Sequence, residues 1–242
     1  SMNYIPRTLH IIRSCVVHFI LGGACCFTAF PFLWMAVSSL KTKEEVMAVD
    51  IFFPSDPQYQ NYSEILFHSP IPRYLANSLL VAVSVVIIQV ICCALFTYAV
   101  TFMKAKGKNI LFRLVLFTYM VPTAVTYIPC YMILSRLGLL DSYGGLILSN
   151  GVSVFGIFLL HQAFAGVPSE TMEAARMDGA GHLMILTRIL VPMTRPPFVT
   201  FILLSFINTY NSYMWPSLIT NSPDLSLVSQ GLRRFPHEGG AN

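Results

Sequence analysis

The chain has 242 residues, of which 55% are hydrophobic and only 11% charged, and its mean hydropathy is +0.65. A soluble domain carries about a quarter charged residues, so this composition argues against a soluble domain and for a membrane protein. The formal net charge of +4 comes without any basic tract, which argues against a nucleic-acid partner.

Ser1-Met2 reads as a cloning scar and Ser1 is set aside. A helical span needs about 20 apolar residues, and five stretches qualify: residues 14–39, 79–101, 111–134, 146–164 and 198–220. None contains Asp, Glu or Lys, as the cost of charge at the bilayer centre demands. The first is too long for a signal-peptide core and lacks an A-x-A-like cleavage site, so it is read as retained. Pro122 and Pro129 lie inside the third and are expected to kink it. Cys15, Cys25, Cys26, Cys92, Cys93 and Cys130 all lie in apolar stretches and form no CxxC pair. They read as small buried side chains, with neither a disulfide framework nor a metal cluster.

Residues 41–77 form a mixed loop broken by Pro54, Pro57, Pro70 and Pro72, with a short helix expected near Tyr62–Phe67. The basic residues set the orientation. With the N-terminus in the cytoplasm, nine Lys and Arg fall inside and six outside, and "FMKAKGKN" (102–109) becomes an internal loop with three lysines and no acid. Five spans then leave the C-terminus outside.

Residues 166–197, "GVPSETMEAARMDGAGHLMILTRILVPMTRPP", become cytoplasmic. Pro168 suits a first helical turn, and Glu170 and Glu173 favour the positive end of the helix dipole. The helix is expected to stop at Gly179, where a left-handed residue ends helices. A second run, "HLMILTRIL", is expected to close at Pro192. Physics alone leaves this helix–turn–helix either a connector or a docking element.

The order Glu173-Ala174-Ala175, Gly179, Ile189, Val191-Pro192 resembles the EAA loop of ABC-importer permeases, with valine at 191 where the family usually has leucine. "EAARMDGA" (173–180) is typical of the carbohydrate-uptake branch. "LGLLDSYGGLIL" (137–148), "FGIFLLHQAF" (155–164) and "NTYNSYMWPSLI" (208–219) resemble further family segments, the last with Ser212 where Asp is frequent. The resemblance is closest to the smaller permease subunit of maltose-type systems. It implies an all-α type I importer fold in a bacterial inner membrane, forming one permease domain, with a sixth span following Asn242. It also implies as partners a second permease subunit, two ABC ATPase subunits, an extracytoplasmic sugar-binding protein, a sugar and the surrounding membrane lipid. The ATPase-coupling residues it implies are Glu173, Ala174, Ala175, Asp178, Gly179, Ala180, Ile189 and Pro192. Glu173 would be a polar or ionic contact, Ala174 and Ala175 small contact surfaces, and Gly179 the turn.

Among polar residues in or near the spans, His18, His161 and Gln162 read as inter-helix hydrogen-bonding groups. Asn208, Asn211 and Ser212 fit an i, i+3, i+4 face. With Tyr210, that face either lines a translocation pathway or holds helices together. Trp34 and Trp215 read as interfacial belt residues. There is no GxxxxGK[ST] phosphate loop, no Ser-His-Asp or zinc constellation and no paired intramembrane carboxylate. The chain is therefore read as a transport subunit without its own ATP site, catalytic residues, metal or cofactor. The rival readings are a permease for another solute such as glycerol phosphate, a stand-alone channel or secondary carrier, and a membrane-embedded enzyme.

Overall fold

The structure is a computed structural model that describes residues 7–48 and 52–238, with side chains for 13–48 and 52–233. The Ser1-Met2 start and the residues from Gly239 onward, where the expected sixth span would follow, lie outside the described residues. Every regular element among the described residues is helical. The chain divides into two compact units, residues 1–69 and 70–242.

The first unit holds α1 (Arg7–Ser38), α2 (Lys43–Met47) and α3 (Gln60–His68). α2 begins with a capping box. Thr42 Oγ1 accepts from the Glu45 backbone N–H, and the Thr42 N–H donates to Glu45 Oε2. The other Glu45 oxygen accepts from the Ser55 N–H at 2.9 Å, and this bond leads those that hold the Glu45 carboxyl below its usual pKa. α3 covers the helix expected at 62–67 and extends it at both ends. It is clasped to the end of α1 by Asn61 Nδ2, which donates to the Ser39 carbonyl at 3.0 Å, and by the Tyr62–Ser39 hydroxyl pair. Trp34 lies in an aromatic cluster with Phe30 and Phe52, with Lys41 Nζ 4.4 Å from its ring centroid.

The second unit is built on α4 (Ile71–Phe102), 32 residues long and about 48 Å at 1.5 Å per residue. Val81, Val85, Gln89, Cys93 and Thr97, spaced four apart, form its buried stripe. That stripe faces α8 (Val154–Ala165) and α12 (Arg195–Tyr210). Its polar members are satisfied across helices. Gln89 Nε2 donates to the Asn150 carbonyl at 2.6 Å, Thr97 Oγ1 donates to the Ile157 carbonyl, and Ser205 Oγ donates to Gln89 Oε1. α12 lies close on α8 because residue 156 is glycine; any Cβ there would run into the Phe201 ring.

Among the described residues, α1 and α4 are the unbroken helices long and apolar enough to cross a membrane, and the count rises to four spans if each bent pair is one. The third expected span is instead α5 (Lys108–Thr118) and α6 (Thr123–Arg136), bent by 104°. The break falls at Pro122, which lacks an N–H and pushes Val121 out of helical conformation. Pro129 stays inside α6. The fourth divides into α7 (Tyr143–Leu148) and α8, each opened by a serine cap: Ser142 accepts from the Gly145 N–H and Ser153 from the Gly156 N–H. The fifth is α12 and a separate short α13 (Met214–Ile219), split at residues 211–213.

Several side-chain expectations need correction. Cys15, Cys25 and Cys26 are exposed along α1, and of the six cysteines only Cys93 is buried. Trp215 is only 7% exposed, stacks on Tyr127 and donates from Nε1 to Ser149 Oγ at 2.9 Å, so it is a core residue and not a belt residue. His18 bonds within its own helix, to the Ser14 carbonyl, rather than to another helix. His161 stacks on Phe112, and its Nδ1 is buried without a partner. Gln162 is exposed.

The unit's end near Ile71 is closed by polar contacts. Arg73 pairs with Asp224, and Asn77 Nδ2 donates to the Asp224 and Ser226 carbonyls. Asp141, at φ 51°, accepts from the Asn221 and Ser222 N–H groups and from the Ser222 hydroxyl. The polar stretch after residue 227 is helical, α14 (Val228–Glu238), and Gly231 leaves room for the Tyr74 ring of α4.

Candidate functional site

The segment from Ser169 to Met193 forms a protruding helix–turn–helix on a fully packed base. α9 (Ser169–Met177) starts after Pro168 and carries Glu170 in its first turn. Met172 and Ala175, three apart, bury into a cluster with Leu160, Phe164, Ile185, Leu186 and Leu190. The opposite face presents Glu173, Ala174, Arg176, Met177 and Asp178 to solvent.

The turn is a Schellman motif. The Gly179 N–H bonds to the Arg176 carbonyl at 3.0 Å, and the Ala180 N–H reaches back to the Ala175 carbonyl at 2.9 Å. Gly179 adopts φ +83°, as this motif requires, and its Cβ position is open space. Ala180 then packs against the cluster that holds Ala175, supplying the apolar contact usual for the motif.

The return run, His182–Met193, comprises α10 (His182–Met184), a π-helical stretch (Ile185–Leu190) and α11 (Val191–Met193). It does not close at Pro192. The proline sits within the run, which ends at Thr194 and turns by 87° into α12. The wider π turn precedes the residue that cannot donate a helical hydrogen bond. Two contacts tie the loop to the C-terminal end of α4: the Tyr98 hydroxyl lies 2.7 Å from His182 Nδ1, and Arg176 Nη2 donates to the Phe102 carbonyl at 3.3 Å.

This geometry sorts the eight candidate coupling residues. Glu173, Ala174, Asp178, Gly179 and Pro192 are exposed; Ala175 is buried, and Ala180 and Ile189 are half-buried against the same cluster. Ala175 therefore cannot be a contact surface; it fixes α9 to its base. The structure adds exposed Met177 (88%), Leu183 and Met184 beside Glu173 and Asp178. Their sequence signal was phase: Met177 lies five residues after buried Met172, off the i, i+3 stripe.

The second candidate site is a polar cavity of about 180 Å³ between α4, α7, α12 and α13, lined by Gln89, Asn150, Ser153, Ser205, Asn208 and Ser212 among others. Asn208 and Ser212 meet there with Thr209. Asn211 and Tyr210 are not among the lining residues, because α12 stops at Tyr210 and Asn211 caps it. Tyr210 instead stacks on Phe206 at 5.6 Å. The i, i+3, i+4 face is thus broken by the helix end. The lining contains amides and hydroxyls but no charged side chain. Among the described residues no group of three His, Cys, Asp or Glu could hold a metal ion.

A family model described as "binding-protein-dependent transport system inner membrane component" matches residues 91–234. Over 232 residues the chain is 29% identical to the sn-glycerol-3-phosphate transport system permease protein UgpE of Brucella abortus, covering 93% of this chain and 82% of that protein. Over 217 residues it is 30% identical to the arabinooligosaccharides transport system permease protein AraQ of Bacillus subtilis, covering 88% and 77% respectively. The fold matches, with a TM-score of 0.83 and 23% identity, a chain in the crystal structure of a bacterial ABC transporter involved in the import of the acidic polysaccharide alginate; the match spans 100% of this chain and 85% of that one.

Proposed function

The chain belongs to the family of inner-membrane components of binding-protein-dependent transport systems, and from that premise we propose that it is a permease subunit of an ATP-driven sugar importer, coupled to its ATPase through the loop Glu173–Pro192. The supporting observation is the loop itself: a glycine-turned helix pair with a buried base and an exposed tip of Glu173, Ala174, Met177 and Asp178. Methionine next to acidic groups suits a polar-rimmed cleft on a soluble partner. The partners of this reading are a second permease, two ATPase subunits and an extracytoplasmic sugar-binding protein, with the N-terminus in the cytoplasm.

In this mechanism, ATP closes the ATPase pair and the closure displaces the docked loop. The π-helical run then passes the displacement through its 87° corner to α12, which packs against α4 and α8. Coupling of this kind needs the loop to bind the ATPase differently in the inward-open and outward-open states.

The polar cavity supports a neutral, hydroxyl-rich solute over glycerol phosphate, since a phosphate buried there would meet no cation. The glycerol-phosphate reading draws on the relatives' names. Uptake by the reconstituted system, with its binding protein, separates the two: the sugar reading expects labelled neutral oligosaccharide to accumulate with ATP, and accumulation of glycerol phosphate alone would overturn it. ATP-independent transport would overturn the importer reading as a whole.

A further inference from the structure

Beside the coupling loop, a cleft of about 420 Å³ opens between the end of α4 and the turn; Phe102, Met103, Lys104, Arg176 and His182 line it. No carboxylate lines it. Arg73 pairs with Asp224, and among the described residues neither Lys104 nor Arg176 has a carboxylate partner. Lys106 and Lys108 follow Lys104 within four residues, and Lys108 Nζ is already engaged by the Thr101 carbonyl. Arg176 spends one nitrogen on the Phe102 carbonyl, and this bond sets the guanidinium at the level where α4 ends.

That level matters. α4 carries no charged residue after Arg73, and Lys104, two residues past its last helical residue, is the next charge in the chain, so the cleft lies at the polar end of an apolar run long enough to cross a membrane. The groups found at that depth are lipid headgroups. We infer that this cleft binds the phosphate of an anionic phospholipid, with Lys104 and Arg176 as its cations and the Phe102–Met103 wall against the acyl chains. The shared chemistry is a phosphate ester held by two cations of different kinds: Arg176 offers planar donors and Lys104 a mobile point charge. A bound lipid would join α4 to α9 across the same gap that the Arg176–Phe102 bond spans, so occupancy would bear on how firmly the loop is held. The inference requires membrane insertion but neither the sugar assignment nor the ATPase-docking role.

The test uses the assembled transporter, purified in detergent and exposed to phosphatidylglycerol and phosphatidylcholine of matched chain length. Native mass spectrometry reads the lipid retained. The wild type should retain phosphatidylglycerol in preference. Lys104→Gln, which disturbs no hydrogen bond, should lower that preference about fivefold, the effect of one basic group near an anionic surface; Lys104→Arg should restore it. Arg188→Gln, which removes an exposed cation of the same loop outside the cleft, should leave it unchanged. Unaltered preference in Lys104→Gln, or an equal loss in Arg188→Gln, overturns the site. Displacement of the lipid by millimolar inorganic phosphate would make a soluble phosphate the occupant and overturn the lipid assignment. Loss of the ATPase from Lys104→Gln with lipid retention intact would assign the cleft to the protein partner instead.

Discussion

Replacing Gly179 offers the sharpest test of the loop, because the structure isolates one cause. The residue sits at φ +83°, and a Cβ built there touches nothing within 4 Å. Substitution therefore introduces no clash, only the cost of holding a side-chain-bearing residue in the left-handed region, about 1–2 kcal/mol. Asparagine tolerates that region and should cost least, alanine about 1 kcal/mol, and β-branched valine about 2 kcal/mol. The turn is an exposed tip held by two backbone hydrogen bonds, so its local stability is low and such costs shift its population. If the ATPase accepts only the Schellman geometry, apparent affinity falls with the fraction of turns correctly formed. The expectation is near-wild-type binding for Gly179→Asn, a loss of about fivefold for Gly179→Ala and up to about thirtyfold for Gly179→Val. Gly179→Asp compared with Gly179→Asn then isolates the added charge. The assay is the affinity of purified ATPase for the permease pair in nanodiscs, read beside sugar uptake. Wild-type affinity for Gly179→Val would refute the docking geometry, as would losses that follow charge and ignore backbone tolerance.

Four further outcomes follow. Met177→Ser, at an 88% exposed position, should weaken ATPase affinity without lowering thermal stability, whereas Ala175→Leu should destabilise the loop by about 1–3 kcal/mol through overpacking, read by thermal unfolding in detergent; the reverse pattern would invert the two faces of α9. Asn208→Ala should alter KM for the sugar while leaving the ATPase attached, and Asn211→Ala, outside the cavity lining, should do less; equal effects would detach the cavity from transport. Asp141 is held below its usual pKa by hydrogen bonds from Ser222 and Asn221. Its stabilisation is therefore complete above the ordinary carboxylate range and is lost as pH falls toward its own lowered value; Asp141→Asn should flatten that acid-side decline in unfolding temperature, and an unchanged decline would remove Asp141 from the closure. A lone cysteine at Ser55 should react with an impermeant thiol reagent in intact cells and one at Ser169 only after lysis; the opposite pattern would reverse the orientation.

The helix–turn–helix was legible because its signals are local: Pro168, the early acids, and a glycine at the one position that needs positive φ. α4 was legible because nothing interrupts its apolar run. The broken spans were less so. Apolar counting over residues 111–134 cannot see that Pro122 turns the chain by 104°, since composition averages over direction. The division of the fourth span, capped at Ser153, went unread because residues 146–164 count as one apolar run. Burial was hardest to read. Trp215 and Ala175 are buried by residues distant in sequence, and a membrane chain offers no polar outside against which a buried face stands out. The cysteines of α1 illustrate the same blindness from the other side: apolar surroundings in sequence did not mean apolar neighbours in the unit.

The π-helical stretch Ile185–Leu190 has a consequence for how this chain tolerates insertion and deletion. An α-helix advances about 100° per residue, while a π turn takes up an extra residue within one turn. Deleting a single residue from Ile185–Leu190 would remove that extra residue and let the run relax to regular α geometry with its two ends still in phase, so the Glu173–Gly179 tip would keep its setting relative to α12. Functional versions of this chain can therefore lose one residue from the six before Val191, whereas a one-residue deletion within α9, a regular α-helix, would turn the tip by about 100°.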